Sequence, residues 1–221
     1  MPATGSTPIL VLGSSSPRRH QLMRYLGVPF TIDPSTIDET PPANATPSAV
    51  ALSLAQQKAV DVARRHDDAV VIGADTLVDL DGRILNKPVD VDDAVRMLRM
   101  LAGNTHQVHS GIAVWRSGHL LSRVISATVT MHPATDDAIR AYVAGGEPMD
   151  KAGAYAAQGE GASLIERVDG PYLAVVGLPL LALRALLIET GVPVSADVPL
   201  LERLEQGEMI GPAHGNPAPP N

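Results

Sequence analysis

Short apolar runs alternate with amphipathic stretches along this chain. Ile9 to Leu12 is a run of four, the length of a short buried strand. Ser16-Pro17 then reads as a helix start, with serine capping the free amides and proline at the first helical position. Leu22, Met23 and Leu26 give that helix an apolar face, and Gly27 closes it. Phe30 to Asp33 predicts a short strand, and the Pro-, Thr- and Ser-rich stretch 34–45 a loop. Thr46-Pro47 opens a second helix, with Val50, Leu54, Ala55, Ala59 and Val62 at helical spacing up to about His66. Ala69 to Val78 is a long, mostly apolar run that predicts a buried strand, returned by Asp81-Gly82 through 83–85.

The second half continues in the same manner. Val95, Leu98 and Leu101 share a face of a helix from Asp90 to Leu101. His106 to Trp115 and His119 to Met131 alternate around Ser117-Gly118, as in a hairpin. Thr135 caps a helix to about Val143, 145–161 is glycine-rich and polar, 164–168 is a strand, and Leu178 to Glu189 is a helix ended by Gly191. Helices and strands alternate with hairpins among them, so the class is α/β with a mixed sheet. The pattern places one domain over residues 1–191. Residues 192–221 form a C-terminal extension, expected to be partly disordered because His214 to Asn221 is rich in Pro, Gly and Asn.

Composition narrows the function. Of 221 residues, 45% are hydrophobic but only 3% aromatic, so the core is built from Ala, Val, Leu and Ile. The formal net charge of −7 argues against general nucleic-acid binding, which needs basic surfaces to displace counterions. One small anionic ligand is still compatible with that charge, since local cations outweigh a global sign. With no cysteine, disulfides and thiolate sites are excluded. No apolar stretch approaches the ~20 residues of a membrane span. Residues 1–8 lack the basic-then-apolar order of a signal peptide, so a cytoplasmic protein with no membrane partner is expected.

Against this background, one tripeptide stands out. Ala74-Asp75-Thr76 sets a carboxylate on an apolar strand, and a buried carboxylate needs a cation or a metal beside it. Ser14-Ser15-Ser16-Pro17-Arg18-Arg19 and Asn86-Lys87-Pro88 offer cations, the first at a helix start where amides bind anions. Serines that only cap a helix and arginines that are only solvated fit the same pattern. Asp75 fits a metal ligand or a base acting on water, and equally a turn aspartate. Asp38 and Glu39 are further carboxylates that a metal could use, or merely solvated loop residues. Lys58 lies beside an apolar helix face, Lys87 on a loop stiffened by Pro88, and Gln158 carries an amide able to read a nucleobase edge. His106 and His109, three residues apart on one strand, face opposite sides and read as structural.

Taken in order, these segments resemble the Maf family of nucleoside triphosphate pyrophosphatases. The resemblance rests on 12–19, 72–76, 84–88, 105–111, 147–159 and Val176-Gly177-Leu178-Pro179, and it spans residues 9 to 190. It implies a two-lobed mixed-sheet fold like that of inosine triphosphatases, with the site between the lobes, and a homodimer. It also implies cleavage of the α–β phosphate bond of a nucleoside triphosphate, giving a nucleoside monophosphate and pyrophosphate, with a divalent metal such as Mg²⁺ or Mn²⁺. By resemblance, Asp75 is the base and a metal ligand, with Asp38 or Glu39 beside it. Ser14, Arg18, Lys58, Lys87 and Gln158 bind substrate. Arg18, Thr76 and Gln158 match the selectivity positions of the branch acting on dTTP and UTP. Gly13, Asn86 and Asn104 depart from the family pattern. The cations near Asp75 are expected to hold it ionised. A regulatory nucleotide binder linked to septum formation, with incidental hydrolysis, is the alternative.

Overall fold

The computed structural model describes residues 8–40 and 45–208. Among them, seven strands make one mixed sheet: β1 (Leu10–Leu12), β2 (Phe30–Ile32), β3 (Val70–Leu80), β4 (Arg83–Leu85), β5 (Thr105–Arg116), β6 (His119–Met131) and β7 (Ile165–Asp169). The order is β2-β1-β3-β5-β6-β7, with β4 on β3. β1 runs parallel to both β2 and β3, and the remaining pairs are antiparallel.

The helices follow the amphipathic stretches: α1 (Pro17–Arg24), α2 (Pro47–Ala63), α3 (Val91–Leu101), α4 (Asp136–Ala144), α5 (Tyr172–Val176), α6 (Leu180–Glu189) and α7 (Val198–Glu205). Thr46 and Thr135 cap α2 and α4 through their hydroxyls, as the sequence predicts. Ser16 does not cap α1 with its side chain; its amide instead donates to Ser14 Oγ at 3.3 Å. The expected polar stretch 145–161 holds three short 3-10 turns. Within the expected extension, α7 packs Leu201 and Leu204 into the main core, while His214 to Asn221 lies outside the described residues.

Side chains alternate along β3, and that alternation builds the two faces. Val71, Gly73, Asp75 and Leu77 face α2, where Val62, Ala55, Lys58 and Leu54 meet them. Gly73 is required there: a Cβ would stand 2.2 Å from Ala55 O and 2.6 Å from Ala59 N. Gly111, paired with Asp75 on the next strand, admits Ala51 in the same way. On the opposite face the apolar residues divide between two cores. Val70, Ile72 and Ala74 join one with α1, α5, α6 and α7. Val78 joins the other with α3, α4 and Tyr155. These two cores are the lobes, and the middle of β3 lies between them.

The edge of β3 is interrupted at the same place. β1 pairs with β3 only through Ile72, and β4 joins only at Val78. Residues 73–77 therefore have no strand partner on that side. Such a gap, where neighbouring strands part, is where open α/β sheets place ligands.

Candidate active site

The gap opens into a cleft of about 510 Å³. Because it lies at a sheet edge, it is reached by Asp75 and Thr76 alike, although they point to opposite faces. Ser14, Arg18, Lys58, Lys87 and Gln158 also line it, so all but one of the candidate substrate, base and metal residues meet here. The exception is Asp38, whose carboxylate turns back to accept from the amide and hydroxyl of Thr40. Its neighbour Glu39 lines the cleft.

On the α2 side, Lys58 bonds two carboxylates at once: Asp75 Oδ1 at 2.6 Å and Glu39 Oε1 at 2.7 Å. Asp75 is 5% exposed and Lys58 8%, so the pair is shielded from water. The second oxygen, Asp75 Oδ2, is buried with no hydrogen-bond partner. Burial pushes the Asp75 carboxyl above the ordinary range, opposed by Lys58 and Arg19 and assisted by Glu39. Lys58 and Arg19 counter that burial without cancelling it. A raised carboxyl is the stronger base.

On the other side, Arg19 rather than Arg18 is the structural centre. Its guanidinium donates to Gly177 O at 2.9 Å, Ala74 O at 2.9 Å, Ser14 Oγ at 3.2 Å and Thr76 Oγ1 at 3.1 Å. Arg19 thus supplies a donor to the carbonyl that the parted strands leave unpaired. Thr76 Oγ1 also meets Ser110 Oγ at 2.8 Å, and Ser110 Oγ donates to Ala174 O at 2.7 Å. That leaves the Ser110 oxygen accepting, so Thr76 donates to it while accepting from Arg19. Arg18, also on the cleft wall, pairs with Asp150 at 3.5 Å. The role of Arg19 could have been read from the sequence: it falls three, four and seven residues before Leu22, Met23 and Leu26, on the apolar stripe of α1.

The two strand histidines are structural. His106, buried, bonds Tyr155 Oη at 2.8 Å, and His109 bonds Ser126 Oγ at 2.7 Å, as structural histidines should. Asn104 lies away from the cleft and donates to Met100 O at the end of α3. Asn86 accepts from the Gly153 amide through its carbonyl, which fastens the Lys87 loop to the second lobe.

Residues 9–190 match the family model described as Maf-like protein. The chain belongs to the Maf family. Among its relatives, the dTTP/UTP pyrophosphatase of Moorella thermoacetica is 49% identical over 84% of this chain and 96% of its own length. That of Halalkalibacterium halodurans is 46% identical over 77% of this chain and 90% of its own. Among solved structures, a HAM1 protein from Coxiella burnetii is 16% identical with a TM-score of 0.41, covering 56% of this chain and 73% of its own. The Maf match ends ahead of α7, so that helix lies beyond the part shared through the family model.

Proposed function

We propose that this chain is a nucleoside triphosphate pyrophosphatase that cleaves the α–β phosphate bond and prefers dTTP and UTP. The observation that carries the reading is Asp75. It is a buried carboxylate with one unpartnered oxygen, set in a cleft whose walls hold Arg18, Lys58 and Lys87. A carboxylate facing phosphates weakens a pure binding protein, whereas a hydrolase needs a base. The relatives named for dTTP and UTP support the substrate choice.

The residues divide the work. Arg18, Lys87 and the α1 start offset triphosphate charge, and positioning with electrostatic stabilisation supplies most of the rate. Asp75 accepts the proton of a water whose oxygen attacks the α-phosphorus. The bond from that phosphorus to the α–β bridging oxygen breaks, and pyrophosphate leaves with the bonding electrons. Lys58 holds Asp75 and Glu39 in register throughout.

A divalent cation fits this site. Asp75 Oδ2 offers an unused oxygen and Glu39 a second carboxylate, while Asp38 is turned away. Among the described residues no group of three or more His, Cys, Asp or Glu is placed to hold a metal. One or two carboxylates completed by substrate oxygens suit Mg²⁺ or Mn²⁺. When bound, the cation supplies charge neutralisation and Lewis acidity at the phosphates. Among the described residues no helix is long and apolar enough to cross a membrane. A homodimer is the assembly proposed, open to sedimentation analysis. The test of function is pyrophosphate release from a panel of triphosphates with Mg²⁺ or Mn²⁺: dTTP and UTP turn over fastest, and binding without release rejects the reading.

A further inference from the structure

The residue that ties α7 to the cleft is an acid buried where an apolar side chain would pack more cheaply. Glu205 is 8% exposed, and one of its carboxylate oxygens has no partner. The other accepts from the Leu181 amide at 3.3 Å, and Leu201 and Leu204 of α7 share the main core with Leu173 of α5 and Leu180 of α6. The Leu181 amide belongs to the first turn of α6, where it would otherwise lack a partner. Neither helix has a side-chain cap of its own. Glu205 therefore holds the start of α6, and α7 packs beside the start of α5 as well.

The segment between those two starts is the wall of the cleft. Val175, Val176 and Gly177 line it. Gly177, with φ at +114°, makes the turn from α5 to α6, and its carbonyl accepts from Arg19 Nε. Ala174 O anchors Ser110, which in turn receives the Thr76 hydroxyl. The carbonyls of Ala174 and Gly177 thus lie on the short stretch that runs up to the α6 start held by Glu205. The same end of the chain has a second contact with the substrate side. Leu204 and Gly207 help wall a smaller pocket of about 200 Å³ that includes Arg18 and Gln158.

We infer that Glu205 is a positioning residue of the active site: through α5, Gly177 and α6 it sets the placement of Arg19 and Thr76. The inference rests on the pyrophosphatase reading for its kinetic consequences, but not for its structural one. The C-terminal segment is then part of the working enzyme rather than an appendage.

The full chain carries the test. In Glu205→Ala, measured at a temperature where circular dichroism shows it folded, kcat/KM for dTTP falls at least about tenfold. Glu205→Gln, which keeps an acceptor oxygen, recovers most of that loss. In an Arg19→Lys background, Glu205→Ala adds less than about a twofold effect, because the two residues act along one path. The Arg19 Nε–H resonance, assigned by its absence in Arg19→Lys, shifts in Glu205→Ala. A folded Glu205→Ala with wild-type kinetics, a fully additive double variant or an unmoved Arg19 resonance each overturns the inference. A wild-type chain that turns over no triphosphate overturns the functional reading instead, and the resonance still decides the positioning claim.

Discussion

Lys58 sits between two acids, and its placement governs the chemistry of both. It bonds Asp75 and Glu39 within 2.7 Å, tying the exposed Glu39 to the buried Asp75. In Asp75→Asn, Lys58 keeps Glu39 and the fold survives, but the base is gone. The expected result is a fall in kcat of about 10²–10⁴-fold with dTTP, measured by pyrophosphate release, alongside an unchanged circular dichroism spectrum. Gly177 is the other sensitive position. A Cβ there would stand 3.1 Å from Thr76 Oγ1, on a backbone with φ of +114° that side chains rarely adopt. Gly177→Ala should lower stability by about 1–3 kcal/mol, seen in urea unfolding, and raise KM as Arg19 is displaced. The sequence showed Asp75 as anomalous because an acid interrupted an apolar run. It gave no sign that burial would outweigh the neighbouring cations, since that balance depends on how tightly α2 closes over β3.

At the level of elements, the decisive contact is α2 on the sheet. Gly73 and Gly111 let its backbone approach closely enough for Lys58 to reach Asp75. Gly73→Ala would push a Cβ to 2.2 Å from Ala55 O, so α2 must move outward. Thermal melting should show a loss of about 1–3 kcal/mol, and activity should fall with it. The long elements were legible because their periodicity is sustained over ten residues or more, as in α2, β3 and β6. α5 escaped prediction because five residues are too few to show a helical period. α7 escaped because its apolar stripe is short and carries Glu205, a charge that makes sense only against the amides of other helices. Ser16 misled in a different way: the Ser-Pro signal located the start of α1, but the Ser16 hydroxyl makes no capping bond and its amide donates to Ser14 instead.

The whole molecule has two cores on one face of the sheet, and the site exists because they are separate. Sequence motifs indicated which residues belong together; the parting of β1 and β4 along β3, which makes the opening, depends on long-range pairing that no local pattern encodes. The second core also contains a titrating group. Burial pushes His106 from its ordinary 6.5 down to about 4, so the fold favours the neutral ring. Its contribution is fully present above the ordinary value and is lost as pH falls towards about 4, worth about 3 kcal/mol across that window. Between about pH 7 and pH 4, the drop in unfolding free energy should be smaller in His106→Phe than in the wild type by about that amount. An equal drop in both would place the acid sensitivity elsewhere.

In the proposed reaction, water attacks the α-phosphorus of a nucleoside triphosphate in this cleft. Hydrolysis of dTTP in heavy-oxygen water, followed by mass spectrometry of the products, tests it most directly. The heavy oxygen is expected in dTMP, with none in pyrophosphate. Label in pyrophosphate, or release of single phosphate with dTDP, would contradict it.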